Sequence, residues 1–144
     1  MVPDLILYIY TAHCADARIT GRLQVSERCA TNQVPYSLNN RGIEGDVLPW
    51  CKQHNLPVMA YSPLGGDNNL VVGDRTLAQV GTIHGCSAAA VALAWVIRSG
   101  SVIAIPESGS PAHVKENAVA LSIALTPPDL QTLDAAFPGP FGAT

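Results

Sequence analysis

A chain of 144 residues, 48% of them hydrophobic, has the length of one ordinary domain and enough apolar material for a single core. Its formal net charge of -3, with no basic cluster, excludes an electrostatic nucleic-acid surface or a polybasic membrane patch, since both need Lys and Arg gathered on one face. The expected partners are small molecules or protein.

Residues 1–29 form an ambiguous leader. Its apolar run, Leu5 to Tyr10, is too short to span a bilayer and lacks signal-peptide flanks, and Thr11 to Cys29 show no periodicity. A degraded strand is one reading of it. Cys14, Cys29, Cys51 and Cys86 lie far apart without metal-ligand spacing, which fits free thiols and a cytoplasmic, reducing location.

From Thr31 onward, short apolar runs alternate with segments of helical period, the pattern of β-α units in a parallel sheet. The first strand is predicted over Ala30–Tyr36, closed by Asn39-Asn40-Arg41-Gly42. A helix with Ile43, Val47 and Cys51 on one face follows. Pro49 is tolerable there if the helix starts near Asp46, because first-turn N–H groups have no intrahelical acceptor.

The second strand is predicted over Pro57–Tyr61, then turn residues Ser62-Pro63-Leu64-Gly65-Gly66 and a polar loop from Asp67 to Gly73. Asp74 caps a helix ending at Gly85, and Ser87 opens another with Ala90, Leu93, Ala94 and Ile97 as its buried stripe. Val102–Ile105 reads as a third strand covered on both faces. Ser110-Pro111 starts a helix whose buried face is Val114, Ala118 and Leu121, and Thr126-Pro127-Pro128-Asp129 starts a last one bearing Leu130, Leu133 and Phe137. The tail from Pro138 to Gly142 is irregular.

In parallel β-α folds ligands gather at the carboxyl ends of the strands, where this sequence places Asn32-Gln33, Tyr61-Ser62 and Glu107-Ser108. Four blocks in order, Asn32-Gln33-Val34, Ala60 to Gly65, Ala92-Leu93-Ala94-Trp95, and Ile105 to Ser108 continuing to Lys115-Glu116-Asn117, resemble the C-terminal half of aldo-keto reductases. The resemblance covers about Arg28 to Pro138. It implies a partial (β/α)8 TIM barrel in which the three strands are the sixth, seventh and eighth. It also implies NADPH or NADH lying extended across the rim.

By the resemblance, Gln33 would bond the nicotinamide carboxamide and Tyr61 would stack on the ring. Ser62, Leu64 and Gly65 would meet the pyrophosphate, Ser108 and the helix start at Ser110 the adenosine phosphate, and Glu116 and Asn117 the adenine. Two positions depart from the family. Glu107 stands where NADPH-preferring members carry lysine, and His113 where an arginine commonly grips the 2′-phosphate. A carboxylate there turns attraction into repulsion, about a few kcal/mol at an effective dielectric near 20. Weakened NADPH binding with Glu107 accepting a ribose hydroxyl of NADH is one consequence, and loss of both cofactors is the other.

The family uses a catalytic Asp, Tyr, Lys and His, of which the Asp, Tyr and Lys have no counterpart here and the His has only His13 as a weak candidate. Asp4 to His13 resembles the family's fourth strand, which ends in the catalytic histidine, but the spacing does not match, so no catalytic residue and no metal ligand is assigned. His54 and His84 are expected near helix ends, facing the dipole or solvent. The resemblance thus implies carbonyl reduction by NAD(P)H as the parent reaction, with a chain inactive alone. A non-catalytic nucleotide-binding module or truncated gene fragment is the alternative. Three or four strands cannot close a barrel, so self-association or a complementing half-barrel is expected.

Overall fold

The computed structural model describes residues 30–66 and 71–140, together with the backbone of Thr11–Ala12. Expectations for the rest of the leader, for His13, Cys14 and Cys29, for 67–70 and for the tail beyond Pro140 lie outside the described residues. The parallel strands β1 (Thr11–Ala12), β2 (Thr31–Pro35), β3 (Val58–Tyr61) and β4 (Val102–Ile105) each lie beside the one preceding them in sequence. β1 pairs Thr11 with Thr31 and Ala12 with Asn32. With β2 to β4 as the sixth to eighth strands, β1 therefore takes the fifth place, not the fourth that the leader resembled.

The register sets Asn32, Val58 and Val102 in one row, and Gln33, Met59 and Ile103 in the next. Val34, Ala60 and Ala104 follow, then Pro35, Tyr61 and Ile105. Side chains alternate across a sheet, so the first and third rows face one way and the other two face the opposite way. Val34, Val58, Ala60 and Val102 join the helices in the main core. Ile103 and Ile105 remain 49% and 38% exposed. Helices on one face only, over consecutive parallel strands, are the layering of a (β/α)8 barrel; a doubly wound sheet is covered on both.

The helical layer is fixed by local signals. A 3-10 turn, Gly42–Gly45, leads into α1 (Val47–Gln53), where the Asp46 side chain accepts from the Val47 N–H at 2.6 Å. Ile43, Val47 and Cys51 are buried, and Pro49 sits exposed in the first turn. Asp74 caps α2 (Arg75–His84), which ends on Gly85 in the left-handed conformation at φ 64°. Ser87 caps α3 (Ala88–Ile97). α4 (Pro111–Val119) follows β4, and α5 (Pro127–Ala136) opens with a capping box between Thr126 and Asp129. No single helix among the described residues is long and apolar enough to cross a membrane.

One buried indole holds these helices to the sheet. Trp95 on α3 lies 5.4 Å from the Tyr36 ring, with the Arg98 guanidinium 3.7 Å and that of Arg41 4.8 Å from its centroid. Glu44 accepts from the Tyr36 hydroxyl at 2.7 Å and pairs with Arg41 at 2.9 Å and Arg98 at 3.2 Å. Arg41 also reaches Asp134 at 2.7 Å and the Phe137 carbonyl at 2.6 Å, which fastens the end of α5. Burial alone would raise the Glu44 pKa, but hydrogen bonds from Tyr36 and Arg41 outweigh it and leave the carboxyl below its ordinary value. The Tyr36 hydroxyl is pushed up by burial.

Several expectations are corrected. Val114 and Leu121 are 54% and 81% exposed and Ala118 is exposed too, because no described element covers that face of α4 and the 3-10 turn after it. Among the described residues β4 is covered on one face, not two. α3 is buried all round from Ala90 to Val96, beyond the expected stripe, since it packs against α2, α4 and β4 together. Val71, placed in a polar loop, is fully buried in the core. His84 stands in the last turn of α2 as expected, and the sequence did not disclose its partner: its Nε2 lies 2.9 Å from Asp129 Oδ2 and ties α2 to α5. His54 meets its expectation: exposed at the end of α1, it sets its Nδ1 2.8 Å from the Trp50 carbonyl oxygen and stacks on the Trp50 ring at 4.0 Å.

Hydrogen bonds from Thr126 hold the Asp129 carboxyl below its ordinary 3.8, with His84 adding to the effect. A carboxyl depressed in the folded state contributes stability that is complete above its unfolded pKa and is lost as pH falls through the lower folded value. Urea unfolding followed from about pH 5 to about pH 2 should therefore show falling stability, and Asp129→Asn should flatten that decline. Gly81→Ala tests the α2–α3 junction. Its Cβ would stand 2.6 Å from the Cys86 carbonyl oxygen, so a loss of about 1–3 kcal/mol is expected by denaturation.

Candidate functional site

The carboxyl ends of β2, β3 and β4 open onto one cavity of about 720 Å³, lined by Gln33, Tyr61, Ser62, Pro63, Leu64, Gly66, Ile105, Pro106 and Glu107. Gln33 and Tyr61 reach it because both belong to the uncovered rows of the sheet, where each is half-buried. Ile105 shares the Tyr61 row and forms part of the wall. That wall was readable from strand alternation alone, but attention to polar groups passed over it.

The floor turns sharply after Tyr61. Ser62, Gly65 and Gly66 have φ values of 48°, 102° and 71°, all in the left-handed half of the map. At Gly65 space forbids a side chain as well: a Cβ would lie 3.0 Å from Asn39 Nδ2 and 3.1 Å from Val71 Cγ2. Glycine there lets the Asn39 and Val71 side chains close against the turn. Gly65 itself lines a neighbouring polar cup of about 250 Å³ with Ser37, Asn39 and Asn40, and Ser62 borders both spaces.

The remaining expected residues divide. Ser108 lies in the turn after β4, where its hydroxyl donates to the Ser110 carbonyl and accepts from the Ser110 N–H, each at 3.2 Å. Ser110 occupies the N-cap position of α4 but makes no side-chain cap, contrary to expectation. The first-turn N–H groups are thus left without a side-chain acceptor from Ser110. His113 and Glu116 are exposed on α4. Asn117 lines a different space, an apolar cleft beside β4, which meets the rim cavity at Pro106. The structure therefore gathers Gln33, Tyr61, Ser62, Leu64 and Glu107 in one cavity, with Gly65 and Asn117 in the spaces on either side.

Among the described residues Glu107 is the one charged side chain lining the rim cavity, and Tyr61 is its other titratable group. An aromatic face, a primary amide and a strained glycine turn at the ends of adjacent parallel strands make a place for a flat polar ring with a chain of anionic groups beyond it.

Residues 26–137 match the aldo/keto reductase family. The chain belongs to this family. It is 45% identical over 133 residues to the methylglyoxal reductase YeaE of Escherichia coli (strain K12), covering 90% of this chain and 47% of that protein. An aldo-keto reductase from Klebsiella pneumoniae in complex with NADPH superposes with a TM-score of 0.80 at 42% identity, over 93% of this chain and 48% of that one. A Klebsiella pneumoniae structure with NADP and acetate gives 0.79 at 43% identity, covering 90% of this chain and 47% of that one. The chain thus spans about half the length of these relatives, and its fold is a partial (β/α)8 barrel.

Gly65→Ala tests the turn. With φ at 102° and Asn39 in the way, the substitution should cost about 1–3 kcal/mol by thermal or urea unfolding.

Proposed function

We propose that this chain binds a nicotinamide dinucleotide across the ends of β2, β3 and β4, as the cofactor-holding half of an enzyme that reversibly reduces aldehydes or ketones. The observation that carries this reading is the shared cavity of Gln33 and Tyr61, an amide and an aromatic face on neighbouring strands. In it Gln33 meets the nicotinamide carboxamide, since one amide both donates and accepts, and the Tyr61 ring fixes which face of the nicotinamide is presented. Bound NAD(P)H supplies the hydride for carbonyl reduction.

The residues present fit the group at three points. The Ser62 to Gly66 turn leaves backbone beside the cavity where the pyrophosphate would run. The start of α4 has no side-chain cap, so its N–H groups and helix dipole remain free to meet a phosphate. Asn117 stands beyond Pro106, on the side expected for the adenine. Ser108 supports the α4 turn through its own hydroxyl, and a phosphate there would compete with the Ser110 contacts.

The same reading makes the chain a poor catalyst by itself. Hydride delivery leaves an alkoxide that a general acid must protonate. Among the described residues the lining contains no lysine or histidine to lower the pKa of a hydroxyl, and Tyr61 is committed to the ring. Glu107 points the cofactor choice toward NADH, because a carboxylate near the position of a 2′-phosphate repels it and can instead accept from a ribose hydroxyl.

Fluorescence titration with NADH and NADPH checks both halves of the proposal. NADH is expected to bind more tightly, and Tyr61→Ala should weaken it at least about tenfold, or about 1.4 kcal/mol. Glu107→Lys should move the preference about tenfold toward NADPH, a shift kept small by the exposure of the side chain. Absence of binding to either dinucleotide overturns the reading, and carbonyl-dependent NADH oxidation above background by the purified chain overturns its inactivity.

A further inference from the structure

We infer that Asn39, in the loop after β2, is a positioning residue for the dinucleotide: it acts through Gly65 to keep the turn at 62–66 in the shape that meets the pyrophosphate. The inference rests on the dinucleotide reading given above and adds to it a residue outside the nicotinamide and adenine contacts.

The turn needs support from outside itself. Ser62 holds φ at 48°, and Gly65 and Gly66 hold 102° and 71°. The glycines adopt such angles at little cost, but Ser62 carries a Cβ, and for it the left-handed conformation persists only where the surroundings over-determine it. Within the turn, the Gly65 N–H donates to the Ser62 carbonyl at 3.0 Å, so whatever fixes Gly65 also fixes Ser62.

The support comes from the loop after β2 and can be followed bond by bond. The Tyr36 N–H donates to the Tyr61 carbonyl at 3.4 Å, which sets the start of this loop beside the last residue of β3. Ser37 and Asn40 exchange backbone hydrogen bonds of 3.1 Å in both directions, closing a tight turn that carries Asn39. Ser37 is fully buried, and its hydroxyl donates to Asn39 Oδ1 at 2.6 Å. That bond orients the carboxamide across the glycine: Nδ2 and Oδ1 stand 3.0 and 3.1 Å from the point a Gly65 Cβ would occupy. The Cγ2 of Val71, a fully buried residue, lies 3.1 Å from the same point. Gly65 thus packs at once against a core side chain and an oriented amide. Ser62 borders both the rim cavity and the polar cup that Asn39 lines, so a shift of the turn into the cup changes the wall of the rim cavity. A binding-competent turn that is only partly populated lowers the apparent affinity by that fraction.

Asn39→Ala in the full chain tests this with two readouts. Exchange of the Gly65 amide with solvent, followed by NMR, is expected to quicken about tenfold. The Cys86 amide, bonded to the Gly81 carbonyl at the α2–α3 junction, should keep its wild-type rate, which separates a local release from a general loss of stability. The dissociation constant for NADH should rise about tenfold in step with the Gly65 exchange. Ser37→Ala removes only the hydroxyl that orients the amide and should move both readouts the same way, about threefold. It decides the matter if Asn39→Ala loses its far-UV circular dichroism. An unchanged Gly65 rate, an equal quickening at Cys86, or a quickened Gly65 amide with NADH affinity intact would each overturn the inference and leave the proposed function standing. A wild-type chain that binds no NADH overturns the proposed function, and the inference with it.

Discussion

The alternation of side chains across β2, β3 and β4 is the constraint on which the rest of the structure depends. A shift of one residue in any of these strands would turn Val34, Val58, Ala60 and Val102 away from the helices and bring Gln33, Met59 and Ile103 under them. Apart from Asn32, the buried rows are Val and Ala, which lets α3 lie close enough to the sheet to be enclosed from Ala90 to Val96. The uncovered rows carry the residues that reach the rim cavity. One register thus builds the core with one face and the candidate site with the other.

The helical layer is held by a different chemistry. Trp95 is fully buried between Tyr36 and two guanidinium groups, and Glu44 balances those charges from the turn before α1. Cation–π contacts contribute on the order of 0.5–2 kcal/mol each, more when water is excluded. Removing Glu44 alone would leave Arg41 and Arg98 crowded on one ring without a counter-charge, whereas removing Trp95 would leave a cavity the size of an indole. Arg41 extends this cluster to Asp134 and the Phe137 carbonyl, while His84 holds the opposite end of α5 through Asp129. The last helix is therefore pinned at both ends by polar contacts, with Leu133 fully buried between them.

What the sequence disclosed follows the range of the interactions. Asp74, Ser87 and the Thr126–Asp129 box were legible because a cap is settled within three residues, and the strands were legible from apolar runs bounded by turns. Gln33 and Tyr61 were found because strand ends are where parallel folds collect ligands. The Glu44 cluster was not legible, since its Tyr36 and Arg98 contacts with α3 span separations of 62 and 54 residues. Periodicity also misled at α4: it shows that Val114, Ala118 and Leu121 share a face, but not whether anything covers that face. The same limit produced the error at Ile103 and Ile105. Continuous apolarity in β4 describes a strand made for two covers, and the described residues supply one.

That surplus apolarity bears on how the site should be understood. In the proposed reading, the groups that orient a dinucleotide come from strand ends and from the start of α4, all inside one consecutive run of β-α units. The groups for proton transfer come from elsewhere in a barrel, so holding a cofactor and using it are separable in this fold. The electrostatics agree with such a division. The charges around Trp95 are paired, while among the described residues Glu107 is the one charge that lines the rim cavity. A helix N-terminus carries only about half a positive charge, so one carboxylate beside it is enough to decide between dinucleotides that differ by a single phosphate. In the proposed reading, cofactor choice turns on a contest between Glu107 and the backbone of α4.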